Sequence, residues 1–69
     1  SNDIIKKTKS LIKLNFFETA ENLILKTYHS SFQKEGYAYD LLIKVYNDLG
    51  MINRENSWKR KKNTFLALS

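Results

Sequence analysis

Sixty-nine residues with a net charge of +5, no cysteine, no proline and two glycines describe one small basic domain, residues 1–69. A domain of this size buries only about 60% of its chain surface, so most apolar residues are needed for the core. No disulfide or thiolate metal site is available, no apolar run nears the ~20 residues of a membrane span, and no signal peptide is visible.

The first helix is expected from Asp3 to Leu14, with Asn2 or Asp3 as its cap. Ile4, Ile5, Thr8, Leu11 and Ile12 fall on one stripe at helical spacing, while Lys6, Lys7, Lys9 and Lys13 cover the other face. The second helix is expected to begin after Asn15, because Asn15 and Glu18 have the spacing of a capping box. Its apolar face holds Phe16, Phe17, Ala20, Leu23, Ile24 and Tyr28. So short a joint makes the two helices antiparallel neighbours or a sharp crossing. Ser30 to Gly36 reads as a loop with Phe32 turned inward.

The third helix is expected over Tyr37–Leu49, with Ala38, Leu41, Leu42, Val45 and Leu49 inward. Tyr37, Asp40, Lys44 and Asn47 face outward. Gly50 stands where a left-handed cap ends a helix, and Met51 is the apolar residue that packs back after it. Beyond Gly50 the helical period fails: after Ile52 the positions three and four further on are Glu55 and Asn56. A hairpin therefore fits better, with strands at Met51–Arg54 and Thr64–Leu68 around a polar loop. The expected fold is mostly α with a small C-terminal β-hairpin (α+β), three helices plus a wing.

Charge is uneven along the chain. Residues 1–14 carry four lysines against Asp3, residues 15–50 carry more acids than bases, and residues 51–69 carry Arg54, Lys59, Arg60, Lys61 and Lys62 against Glu55. A basic loop between two strands can lie along a phosphate backbone, and such contacts position a protein without reading sequence. Lys44 and Asn47 on the third helix could reach base edges. Trp58 either packs on a sugar or a Lys stem, or, as we favour, covers an edge of the core.

Residues 41–69 resemble the end of winged-helix DNA-binding domains, most closely MarR-type regulators. The resemblance is carried by Leu42, Leu49, Gly50, Met51, Ile52, Arg54, the pair Lys61–Lys62 and the closing Phe65-Leu66-Ala67-Leu68-Ser69. It implies duplex-DNA binding in transcription regulation, with Tyr37–Leu49 as recognition helix. The chain departs from that pattern at Arg60, where the family carries an acid, and Asp40 and Asp48 would sit badly near phosphate.

A second arrangement fits some of the same residues. Shifting the chain by 35 positions aligns Leu11 with Tyr46, Leu14 with Leu49, Asn15 with Gly50, Phe16 with Met51 and Leu23 with Trp58. That period resembles tetratricopeptide and pentatricopeptide repeats, and implies all-α helical hairpins holding a peptide or an RNA strand.

The functional expectation is a nucleic-acid-binding module acting through Arg54, Lys59, Arg60, Lys61 and Lys62, with Lys44 and Asn47 secondary; the alternative is a protein-interaction module for an acidic partner. No enzyme is expected, since the carboxylates are scattered and no glycine-rich phosphate loop occurs. No cofactor or metal is expected either: His29 is the single histidine. The chain begins at Ser1 and reads as a domain cut from a longer intracellular protein, with no membrane contact.

Overall fold

The computed structural model describes residues 2–28 and 36–68. His29, Phe32 and the expected loop up to residue 35 lie outside the described residues. Four helices follow one another: α1 (Asn2–Lys13), α2 (Phe17–Tyr28), α3 (Tyr37–Asp48) and α4 (Ile52–Leu68). The winged-helix expectation is thereby corrected: among the described residues there is no strand, and the expected hairpin from Ile52 onward is the single helix α4.

The helices join through two turns of the same design. Asn15 adopts a left-handed conformation at φ 68°, and Gly50 one at φ 71°. At the first turn Phe16 N–H donates to the Leu11 carbonyl at 2.9 Å and Asn15 N–H to that of Ile12 at 2.9 Å. At the second, Met51 N–H donates to Tyr46 at 2.9 Å and Gly50 N–H to Asn47 at 3.0 Å. This is the paired hydrogen-bond pattern that closes a helix through a left-handed residue. Each turn feeds the next helix at once, with Ala20 N–H on the Phe16 carbonyl and Glu55 N–H on that of Met51. All five pairs of equivalent residues stand 35 positions apart. Asn15 therefore ends α1 instead of capping α2, a correction of the capping-box expectation; Asn tolerates the left-handed region better than other side chains bearing a Cβ.

α1 packs on α2, α3 lies against both, and α4 packs on α3. The chain spans 33 × 25 × 17 Å, and the short dimension holds two helix layers about 8–10 Å apart. The core collects Ile12, Ala20, Ile24, Ala38, Leu42, Val45, Tyr46 and Trp58. Half of these come from α3, which is the central helix. Thr8 is fully buried, with its hydroxyl donating to the Ile4 carbonyl at 2.7 Å. Phe16 and Leu14, at the first turn, remain exposed.

The physical reason for the error over α4 lies in its contact face. Glu55, Trp58, Lys62 and Phe65 recur at helical spacing and all turn toward α3. Two of the four are charged, so the face carries no hydrophobic period. Glu55 is only 8% exposed, yet it accepts from Asn47 Nδ2 at 3.2 and 3.3 Å and pairs with Lys59 Nζ at 3.0 Å. Lys62 Nζ reaches Asp40 Oδ1 at 2.6 Å. The ring of Tyr39 lies 5.7 Å from Trp58 and 4.9 Å from Phe65. Ile52, the anchor from which a helical period would be counted, is 64% exposed.

Gly36 caps the start of α3 in the left-handed region at φ 80°. A Cβ there would stand 3.4 Å from Lys62 Cε and 3.8 Å from Leu66 Cδ2, so α4 crosses this end closely. No described helix is long and apolar enough to cross a membrane.

Candidate functional site

The seven sequence-predicted site residues do not form one surface. Four successive cations on a helix step by about 100° each, so Lys59 to Lys62 wrap most of the way round α4. Lys59 turns back to Glu55, and Lys62 pairs with Asp40. Lys61 places its ammonium 4.2 Å above the Trp58 ring. Arg60 is exposed and makes no ion pair among the described residues. Arg54 is structural: its guanidinium lies 3.5 Å over the Phe17 ring and its Nη1 stands 3.4 Å from Glu21 Oε2. Asn47 is spent on Glu55. Lys44, mostly exposed, stands 3.9 Å from Asp48.

Glu21, which the sequence did not single out, is the polar centre of the fold. Its Oε2 accepts from Tyr46 Oη at 2.5 Å and from Trp58 Nε1 at 3.1 Å, besides the Arg54 pair. One carboxylate thus joins α2, α3 and α4. Burial, reinforced by the Glu21 carboxylate, pushes the Tyr46 hydroxyl well above its ordinary range. Nothing at the sequence level marks this acid, because its partners stand 25, 33 and 37 positions away.

A basic ridge lies instead where the first and third helices meet. Lys6, Lys9 and Lys13 follow one stripe of α1 at spacings of three and four, covering about 10 Å of its axis. Asp48 of α3 draws Lys9 Nζ to 3.0 Å and Lys44 to 3.9 Å through the same oxygen. The Lys9 hydrogen bond, with the charges of Lys44 and Lys9, holds the Asp48 carboxyl below its usual range. On α4 the Lys59 contact, helped by Asn47, does the same for Glu55. Two lysines, Lys9 and Lys44, therefore share the Asp48 carboxylate while Lys6 and Lys13 stand exposed beside them, and the helical spacing of the α1 lysines was visible in the sequence.

The opposite side of α3 carries a groove. Among the described residues α2 and α4 meet through the side chains of the Glu21 cluster and not through their backbones. The gap is about 580 Å³ and is lined by Leu25, Tyr39, Trp58, Phe65 and Leu68, with Arg60 and Lys61 on its lip. No group of three or more His, Cys, Asp or Glu that could hold a metal occurs among the described residues.

Comparison with known proteins brings no match: no family model, no curated protein and no solved structure aligns with the chain.

Proposed function

We propose that this chain is a nucleic-acid-binding helical-hairpin module that holds a phosphate backbone along the ridge of Lys6, Lys9, Lys13 and Lys44. The observation that carries this is the meeting of Lys9 from α1 and Lys44 from α3 on the single carboxylate of Asp48, beside the exposed Lys6 and Lys13. Asp48 fixes the Lys9 and Lys44 side chains toward one another but offsets only part of their charge. Lys6 and Lys13 stand exposed on the same stripe. A duplex or single strand laid across α1 and α3 would release counterions at each lysine it meets, without any base being read. On this reading the protein works inside the cell, where nucleic acid is met.

Binding of labelled duplex and single-stranded oligonucleotides tests the assignment. With about four phosphate contacts, affinity for duplex should fall roughly a hundredfold between 50 and 200 mM salt. Lys6→Glu, Lys13→Glu and Lys44→Glu together should remove binding with the helical dichroism unchanged. The already paired Lys59 and Lys62 should be dispensable for it. Undiminished binding by the triple variant would contradict the ridge.

A further inference from the structure

We propose that the groove between α2 and α4 docks an acidic amphipathic helix of a partner protein. The site is separate from the lysine ridge: Tyr39 and Asp48 lie half a rotation apart on α3 at 100° per residue, so groove and ridge face opposite ways. The lining is mainly apolar, built from Tyr39, Leu25, Trp58, Phe65 and Leu68, with Ser57 and Thr64 between them on α4. Leu68 is 84% exposed, a large apolar side chain with nothing over it among the described residues.

Three features specify the occupant. The lining stretch of α4 runs from Ser57 to Leu68, about 16 Å or three helical turns. The walls are helices whose backbone groups, up to the last turn of α4, are paired within themselves, so an extended strand would find few main-chain partners. A helix brings its own backbone hydrogen bonds and offers apolar anchors at helical spacing. The lip is cationic: Arg60 has no carboxylate partner among the described residues, and Lys61 has only the Trp58 ring, which leaves its charge uncompensated. An acidic flank on the incoming helix would meet both. A second copy of this chain fits poorly, because every copy carries a net charge of +5 and its own exposed stripes are rimmed with lysine.

Trp58 is the single tryptophan and lines the groove, so the chain carries its own reporter. A peptide of about four turns with leucines at i, i+3, i+4 and i+7 and glutamates beside them is titrated into the full chain. Tryptophan fluorescence and peptide anisotropy are followed together. The expected result is saturable binding that shifts Trp58 emission and weakens at least tenfold with Leu68→Asp and with Arg60→Glu/Lys61→Glu. Both variants alter exposed positions, and dichroism checks their fold. The same peptide with lysines for glutamates should bind at least tenfold more weakly, as should an acidic peptide of scrambled order. Equal binding of the scrambled acidic peptide, or binding lost with Lys6→Glu/Lys13→Glu and kept in the groove variants, would overturn the proposal in favour of charge attraction to the ridge. No binding at all, or a dimer by sedimentation that shifts Trp58 emission without peptide, would overturn it too. Oligonucleotide binding is measured on the same variants, so failure of the ridge and failure of the groove are read separately.

Discussion

The two hairpins of this protein turn alike and close differently. Both pivot on a left-handed residue with the same pair of backbone hydrogen bonds, 35 positions apart. The first hairpin, α1 on α2, closes on apolar side chains such as Ile12, Ala20 and Ile24. The second, α3 on α4, closes on Trp58 and Phe65 together with two charged contacts, Glu55 with Asn47 and Lys62 with Asp40. The turn geometry is thus repeated while the packing chemistry is not. A helix whose inner face is half ionic folds like its neighbour but hides its period from any hydrophobic count.

The largest test of that contrast is Trp58→Ala. It opens a cavity beneath α4 and removes a donor to Glu21, and it should cost about 3–5 kcal/mol in urea unfolding. Against the marginal stability of a small domain, that would leave much of the population unfolded. Leu23→Ala, at the equivalent position of the first hairpin and only half-buried, should cost less than half as much. Equal losses would erase the distinction between the hairpins.

Glu21→Ala comes next. It leaves the Tyr46 hydroxyl and the Trp58 indole without their acceptor, at about 1–3 kcal/mol. Thermal unfolding should register the change as a lower midpoint. An unchanged midpoint would mean that the carboxylate does not tie α2 to the second hairpin.

The turns should respond alike and by less. Gly50→Ala forces a Cβ into the left-handed region, for about 1–2 kcal/mol, with open space around it. Gly50→Asn should be milder, since Asn15 already fills the equivalent place in the first turn. Asn15→Ala should lose less than Gly50→Ala, by about the cost of Gly50→Asn, because Asn already bears part of the left-handed strain. A cost of Asn15→Ala above that of Gly50→Ala would break the parallel between the turns.

The smallest effects concern pH, and their signs differ. The Tyr46 pKa is raised by folding, so its contribution is intact below the ordinary value of 10.0 and is lost as pH climbs above it. Asp48 and Glu55 are depressed below 3.8 and 4.5, so their contributions are present above those values and lost as pH falls beneath them. Stability measured against pH should therefore be flat between about pH 5 and 10 on account of these three groups and decline outside that window. Asp48→Asn should soften the acid decline, and Tyr46→Phe the alkaline one.

Much of the first three helices was legible in the sequence. The stripe of Thr8 and Ile12, the face of Ala20 and Ile24, and the inward Ala38, Leu42 and Val45 all show apolar spacing, and Gly50 marks its own turn. The 35-residue correspondence was legible too, because Leu14-Asn15-Phe16 and Leu49-Gly50-Met51 share a pattern set by local backbone geometry. What stayed hidden depended on distant partners. Glu55 looks like a solvent-facing acid until Asn47 and Lys59 are brought to it. Tyr46 was passed over as a core residue because its hydroxyl needs Glu21, on another helix. The basic run of residues 59–62 was expected on the loop of a hairpin; it lies instead within α4, and a helix distributes consecutive charges around its axis.

Backbone chemical shifts of residues 52–68, with amide-to-amide contacts between neighbours, decide whether this segment is one helix. A continuous α4 gives unbroken helical shifts from Ile52 through Leu68, together with ring contacts from Trp58 and Phe65 to Tyr39. Extended shifts over residues 64–68, with cross-strand contacts to residues 51–54, would contradict it.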